Sequence, residues 1–365
     1  MRNLKEKSSR ILFLTRYGEE GPSSRYRIFN YIPFLEKENF DCIVQPLFTS
    51  GYMQNRFSRR MKFCVTTLLD YIRRANAILR ETDADLVFLE KEIFPFVPFL
   101  IEKQFIPRDI PYICDYDDAW FHVYDENKYC AIRWLLGGKI SCIMRHASAV
   151  ITGSHYLFDW ARREQENVYL VPTALDLDRY PNSPQARKGR THFIIGWIGT
   201  ETTVAHLHAI GSVLEAFCRE NSAKLLVIGP RRESVRMKFA DVVPWSQATE
   251  VERLQEIDVG IMPLPDTNWA RGKCSLKLLQ YMGCWKPVVA SAVGENINVV
   301  EDGNNGFLAR TPEDWTSALT RLIRDSIMRE RMGVAARRTV EDKYSLAANV
   351  HLLVNILRFT AAKAT

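Results

Sequence analysis

Short apolar runs alternate with longer amphipathic segments along this chain, and the alternation occurs in two successive series. No other feature restricts the fold as strongly. Ile11–Leu14, Ile43–Leu47, Asp85–Leu89, Pro111–Asp115, Ala149–Thr152 and Val168–Val171 read as buried strands. They are too short for helices and rich in β-branched and aromatic residues. Segments with helical spacing lie between them. Arg25–Glu38 carries Ile28, Tyr31, Ile32 and Leu35, and Arg56–Arg80 carries Met61, Val65, Leu68, Leu69, Ile72 and Leu79. Strands separated by helices pair in parallel, because a parallel connection must cross over the sheet. A polar stretch follows, Asp176–Arg190, with Pro181, Pro184 and the basic run Arg187-Lys188-Gly189-Arg190. A second series then starts, with strands at Phe193–Trp197, Lys224–Ile228, Val259–Met262 and Pro287–Ala290. The length of 365 residues suits two domains.

The expected organisation is α/β: two Rossmann-like domains, 1–180 and 181–343, joined by a linker near 176–190 and followed by a helical segment, 344–363. Ligands of such sheets sit at the carboxyl ends of the strands, so two facing halves would enclose an interdomain cleft.

Composition narrows the function. Lys and Arg number 49 against 43 Asp and Glu, a net charge of +6. That is too mild for a dedicated nucleic-acid binder but compatible with small anionic ligands. None of the eight cysteines forms a C-x-x-C pair, so buried free thiols in a reducing compartment are expected. Ile11–Leu14 is too short for a signal-peptide core. Ile93–Ile101, the longest apolar run, contains two prolines and falls short of a membrane span. A cytoplasmic location is expected. The basic segment 56–80, with Phe57, Met61, Phe63 and Leu68 among its cations, is a candidate for peripheral contact with an acidic membrane face. A solvated helix packed on its sheet is the simpler reading.

Several constellations could carry chemistry. Trp269–Met282 reads as a polar glycine loop opening a helix, which leads into the strand Pro287–Ser291. A helix N-terminus presents free N–H groups and a positive dipole end, which suits a diphosphate. Lys273 and Lys277 stand four apart and would share a helix face there. Two solvated surface lysines are the competing reading. Gly199-Thr200 follows the first strand of the second series, Gly18 and Gly21 follow the first strand of the chain, and Gly294-Glu295-Asn296 follows the Pro287 strand. Glycine at such places lets phosphate approach the backbone. Asp115-Tyr116-Asp117-Asp118 and Lys91-Glu92 also follow buried strands. Their carboxylates could orient hydroxyls or act as a base, although for Lys91-Glu92 a salt-bridged loop is the simpler reading. Asp115-x-Asp117 also resembles a divalent-metal motif, with an Asp-rich turn as the alternative. His122, His146, His155, His192, His206, His208 and His351 show no ligand spacing. Nothing resembles a Walker loop or G-x-S-x-G.

Taken in order, these segments resemble the GT-B-fold glycosyltransferases, in particular the retaining, group 1 enzymes of family 4 in bacterial surface-glycan pathways. The resemblance runs through Asp258–Leu264, Gly272-Lys273-Cys274, Lys277–Met282, Pro287–Ser291, Gly294-x-Asn296 and Glu301-Asp302-Gly303-x-x-Gly306-Phe307. In the first half it rests on Ser24-Arg25-Tyr26-Arg27, Asp117-Asp118-Ala119 and Pro172-Thr173-Ala174-x-Asp176.

The resemblance implies a nucleotide-sugar donor such as a UDP- or GDP-sugar in the second half, used as a co-substrate with no resident cofactor or metal. Gly199, Thr200, Lys273 and Lys277 would border its diphosphate. Gln280 would face the ribose, Gly294 and Asn296 would edge the pocket, and Gly18 would approach the phosphates from the first half. The first half would hold a glycan or lipid-linked acceptor, and the final helix would return to it. Asp117, Asp118 and Glu92 are the candidate catalytic groups. One departure matters. Many family members carry two glutamates eight residues apart at the donor site, and here Gly272 and Gln280 stand at those positions. The basic residue of the first glycine loop is also absent, leaving Lys273, Lys277 or Arg231 to supply charge. A sugar-nucleotide epimerase, a non-catalytic partner subunit and a metal-dependent transferase using Asp115 and Asp117 remain alternatives.

Overall fold

The computed structural model describes residues 8–48, 60–81, 83–106, 109–184 and 192–362, with no side-chain description for 60–65. The basic linker residues 187–190 and the start of the 56–80 segment lie outside the described residues. The chain forms two compact units, Met1–Thr173 with Asn349–Thr365, and Ala174–Ala348.

The first unit holds a six-stranded parallel sheet of order β2-β1-β3-β4-β5-β6. Its strands are β1 (Ser9–Tyr17), β2 (Phe40–Phe48), β3 (Leu86–Glu90), β4 (Tyr112–Tyr116), β5 (Ala149–Thr152) and β6 (Val168–Leu170). All six were expected from their apolar runs. Ile11, Leu12, Leu86, Ile113 and Val150 are buried to 0% exposure, as strands covered on both faces require. The continuous helix expected over Arg25–Glu38 is broken. Arg25–Phe29 forms a π-turn, and an α-helix begins only at Ile32. Pro33 has no N–H for an i−4 bond, so it fits the first turn of a new helix and not the middle of an old one.

The second unit holds another six-stranded parallel sheet, of order β12-β11-β10-β7-β8-β9. Its strands are β7 (Ile194–Ile198), β8 (Lys224–Gly229), β9 (Ala240–Pro244), β10 (Val259–Met262), β11 (Val288–Ser291) and β12 (Gly306–Ala309). Counted in chain order from one edge, this is 3-2-1-4-5-6, the order of dinucleotide-binding sheets. β9 and β12 are additions to the four expected strands. Both are edge strands: β9 is mostly solvent-accessible and ends in Pro244, and β12 is four residues long directly after a turn.

Part of the expected linker is packed structure. Leu175 bridges to Ser345, Tyr180 is buried, and Trp285 Nε1 donates to the Pro181 carbonyl at 2.8 Å. The final helix runs Leu346–Ala362. Cys114, Cys218, Cys274 and Cys284 are buried free thiols, as expected, whereas Cys42 and Cys142 are half-buried and Cys130 is exposed.

The two strand orders fix where ligands can enter. In the first sheet the winding reverses between β1 and β3, and in the second between β7 and β10. Crevices open at the carboxyl ends of such strand pairs. Gly18 and Lys91-Glu92 occupy the first address, and Gly199-Thr200 the second.

Candidate functional site

The second address is built from close backbone approach. Gly229, which ends β8, has φ +119°, and a Cβ there would lie 2.0 Å from the Gly199 carbonyl oxygen. A Cβ on Gly199 would lie 2.2 Å from the Trp197 ring. The loops after β7 and β8 therefore touch only because residue 229 is glycine, and Trp197 packs beneath the first loop only because residue 199 is glycine. Thr200 N–H donates to Thr203 Oγ1 at 3.0 Å, which turns the chain into the helix Val204–His208. Lys277, in the helix Leu276–Gly283, reaches this loop: its Nζ donates to Thr203 Oγ1 at 3.5 Å and stands 4.2 Å from the centre of the fully buried Trp197 ring.

Lys273 does not share a helix with Lys277, as the four-residue spacing suggested. It lies in the loop before the helix, and Ser275 at φ +54° separates them. The charge of Lys273 still reaches Lys277. Burial, and then the charge of Lys273, push the Lys277 amine down to about 7. His206 is pushed down to about 4 by burial, Lys277 and Lys273, in that order, and its Nδ1 is buried with no hydrogen-bond partner. The charge of Lys273 thus opposes protonation of Lys277, and the charges of both lysines oppose protonation of His206. A multivalent anion placed among them would reverse that penalty. Sequence spacing did not single out His206. Its one signal was its address, a few residues after the first glycine loop of the second series.

The loop carrying Lys273 is braced from behind. Ser275 Oγ donates to Asn296 Oδ1 at 2.8 Å, and Asn296 Nδ2 donates to the Ser291 carbonyl at 3.0 Å. Asn296 is fully buried, so its amide holds the loop and does not edge a pocket as expected. Gly294 has φ +55°, and a Cβ there would lie 2.5 Å from the Arg271 carbonyl oxygen. It admits the same loop's backbone. Gln280 is buried at 4% exposure, three residues beyond Lys277 on the helix. Arg231 pairs with Glu201 through its backbone N–H at 2.9 Å and its Nε at 3.0 Å. The Ser234 hydroxyl and Arg231 hold the Glu201 carboxyl below its usual range.

The first address contains a network of buried ions. Gly18, just after β1, is half-buried, and a Cβ there would meet nothing within 4 Å. Lys91, just after β3, has φ +68°, a conformation that costs a non-glycine residue about 1–3 kcal/mol. Its Nζ lies 2.9 Å from Asp117 Oδ1 and donates to Ser23 Oγ at 2.8 Å. Burial opposes both charges, yet Asp117 and Glu90 hold the Lys91 amine above its usual range, and Lys91 holds the Asp117 carboxyl down at about 2. Asp118 is half-buried beside them, and its charge also favours the Lys91 proton.

Glu92 accepts from Tyr124 Oη at 2.7 Å, Lys139 Nζ at 2.7 Å, Arg16 Nη1 at 3.3 Å and Trp120 Nε1. Its side chain is fully buried. Burial opposes its charge, but Lys139 and Arg16 hold it below the usual range. Glu92 is thus the centre of an internal network and not an open base. The Asp115-x-Asp117 pair is likewise engaged: Arg27 grips both oxygens of Asp115, and Lys91 faces Asp117. Carboxylates already matched to cations do not fit a divalent metal. Among the described residues His122, Asp125 and Glu126 bring ligand atoms within 4.8 Å of one another, but His122 Nδ1 already bonds Asp125 at 2.9 Å and Nε2 bonds Tyr156 Oη at 2.8 Å.

Residues 193–325, which contain this basic cluster, match a sequence model described as "Glycosyl transferases group 1". The D-inositol 3-phosphate glycosyltransferase of Stackebrandtia nassauensis is 31% identical over 107 residues, 28% of this chain and 24% of that protein. The alpha-1,3/1,6-mannosyltransferase ALG2 of Dictyostelium discoideum is 34% identical over 83 residues, 22% of this chain and 20% of that protein. The matched segments thus span a quarter or less of these relatives. Likeness of fold extends much further. Sucrose-phosphate synthase of Thermosynechococcus elongatus superposes with a TM-score of 0.72 at 14% identity, covering 97% of this chain and 100% of that one. HepE of Anabaena in complex with UDP-glucose gives 0.72 at 14% identity, covering 96% and 99%. The fold is therefore GT-B, and the segment 193–325 is similar to the group 1 glycosyltransferases.

Proposed function

We propose that this chain is a glycosyltransferase that moves a sugar from a nucleoside-diphosphate sugar to a glycan, lipid-linked or small-molecule acceptor, with retention at the anomeric carbon and without a metal. The observation that carries this reading is the basic cluster beside the Gly199 loop, where Lys277 reaches Thr203, the charge of Lys273 lowers the Lys277 amine and both lysines lower His206. The group 1 match over the same residues supports it, as does the UDP-glucose bound to the HepE neighbour.

The chemistry follows from the charges. Breaking the glycosidic bond to phosphate places new negative charge on the leaving diphosphate. Cations fixed beforehand stabilise that charge without reorganising, the largest effect expected in such a site. Lys277, poised near neutrality, gains its proton as the anion arrives. Gln280 would bond the ribose, since an amide both donates and accepts. Donor binding is assigned to 181–343, and acceptor binding to 1–180 with the returning helix 344–363. Asp117 and Asp118 would orient an acceptor or sugar hydroxyl, and Gly18 would admit phosphate to the backbone. Glu92 would act indirectly, by fixing Arg16 and Trp120. The pairing of Asp115 with Arg27 favours the metal-independent reading over the metal-dependent one. The reaction would take place in the cytoplasm.

Thermal shifts with UDP-, GDP-, ADP- and CMP-sugars identify the base, because binding to the native state raises its melting point. Lys273→Ala combined with Lys277→Ala should abolish the shift and donor turnover. Turnover near the wild-type rate would remove the phosphate-site assignment.

A further inference from the structure

The helix Arg60–Arg80 of the first unit is amphipathic the wrong way round. Its buried side carries charge. Asp70 is 7% exposed and Arg74 2%, and Arg74 Nη2 donates to the Thr15 carbonyl in β1. Arg73 Nη2 donates to the Leu47 carbonyl in β2 at 2.6 Å, and its Nη1 lies 3.1 Å from Asp70 Oδ1. The solvent side carries leucine and isoleucine. Leu68 is 61% exposed, Leu69 59%, Ile72 49% and Leu79 63%. A helix packed on a sheet ordinarily turns its apolar stripe inward and its charges outward.

The exposed stripe is continuous because one helix carries all of it. Leu68, Ile72, Ala75 and Leu79 follow one another at spacings of four, three and four residues. Met61 and Val65 extend the same spacing toward the start of the helix in sequence. Counted as heptads, Val65, Ile72 and Leu79 fall at a, and Met61, Leu68 and Ala75 at d. The buried residues Asp70, Arg74 and Ile78 fall at f, c and g, which leaves the a/d seam to solvent. A period of 3.5 with β-branched residues at a and leucine at d is the pattern of two helices paired with each other.

Charge selects the occupant. The helix has six charged residues: Arg60 and Arg74 at c, Asp70 at f, Arg73 and Arg80 at b, and Lys62 at e. Only Lys62 stands at a position that borders the seam. The other e and g positions hold Leu69, Asn76, Cys64, Tyr71 and Ile78. Charges at e and g choose one partner helix over another, and here there is no such ladder to match a foreign helix. A second copy meets no row of like charge across the seam. A bilayer face would be bordered by cations on both sides. Here the g border is turned into the protein: Tyr71 Oη donates to the Pro95 carbonyl at 2.6 Å, and its ring packs on Phe94.

We propose that the seam centred on Leu68, Ile72 and Leu79 pairs with the same seam of a second copy of this chain, giving a two-fold dimer through the first unit. The pairing does not depend on the transfer reaction proposed above. The helix has 21 residues, so the seam is short and the dimer dissociates on dilution.

The test is sedimentation velocity of the full chain between about 1 and about 100 µM, where a small interface should pass from monomer to dimer. Leu68→Glu with Ile72→Glu puts like charges across the seam and should weaken the dimer by about a hundredfold or more. Both side chains lie in solvent in the monomer, so the circular dichroism of this variant at about 1 µM should match the wild type. Leu68→Lys with Ile72→Lys should be monomeric by the same route. An equal mixture of the Glu and Lys variants should recover a dimer, because opposite charges then face each other. A wild type that stays monomeric at about 100 µM overturns the proposal, as does a dimer that survives in the Glu variant or a mixture that recovers none. A monomeric wild type that sediments with phosphatidylglycerol vesicles, and loses that binding in the Glu variant, would give the face to a lipid surface and also overturn it.

Discussion

Raising the pH from 7 to 9 should loosen diphosphate binding to the second unit, and the loss should trace to one amine. Lys277 is pushed down to about 7 by burial and by Lys273. At pH 7 about half of these amines carry a proton, and at pH 9 about one in a hundred does. An anion binds the protonated form better, so its affinity should fall as that fraction falls, by up to about fifty-fold over the two pH units. The limit is reached only if the neutral form binds negligibly. Backbone N–H groups and Lys273 remain, so a smaller loss is consistent and a flat profile is not. Titration calorimetry with whichever nucleotide sugar binds is the assay, because its diphosphate is esterified at both ends and does not titrate in this range. Repeating the titration in buffers of different ionisation enthalpy counts protons. Uptake should rise from about half a proton at pH 7 toward one at pH 8. Lys277→Arg should keep its charge throughout and flatten the profile. The pH dependence has the opposite sign for the stability of the unliganded protein. Its folded amine pKa is depressed, so the unfolded chain binds more protons above pH 7, and stability rises with pH from about 7 toward the unfolded value. Wild-type affinity that is constant from pH 7 to 9, with no proton uptake, would refute the placement of Lys277 at the phosphates.

Three further outcomes follow from the same geometry. His206, pushed down to about 4, favours its neutral form in the folded chain. Stability should therefore fall as pH drops from the unfolded histidine value of about 6.5 toward 4, and His206→Asn should reduce that slope in acid melts. Glu92→Gln leaves Lys139 and Arg16 buried with less compensation and should cost about 3–5 kcal/mol in denaturant unfolding; a variant of wild-type stability that loses turnover would instead make Glu92 catalytic. Gly18→Ala enters open space, so its melting temperature should match the wild type while donor turnover falls; unchanged turnover would remove Gly18 from the phosphate site.

The sequence disclosed elements whose signal is local and concealed those set by distant partners. Strands such as β3 and β7 are runs of apolar residues buried on both faces, so composition alone marks them. β9 and β12 sit at sheet edges, where half-exposed or very short strands lose the apolar run. The break after Phe29 was marked by Pro33, but it interrupted apolar spacing that continued on either side. In the site, Lys273 and Lys277 were legible because a glycine loop before a helix is a local pattern. Their relative placement was not, because the left-handed turn at Ser275 depends on Asn296, twenty-one residues further on. A salt-bridged Glu92 was foreseen, but its partners were not, because Arg16, the Trp120–Tyr124 turn and Lys139 approach it from three separate parts of the chain.

The position of Trp197 gives the second unit an optical property. Its indole is fully buried, and the Lys277 ammonium stands 4.2 Å from its ring centre. A cation so close to a π-system shifts the energy of an excited state whose dipole differs from that of the ground state. The indole lies beneath the amine whose charge changes when an anion arrives. Occupancy of the basic cluster is thus coupled to the absorption and emission of a residue already in the chain, and the pocket carries its own electrochromic dye.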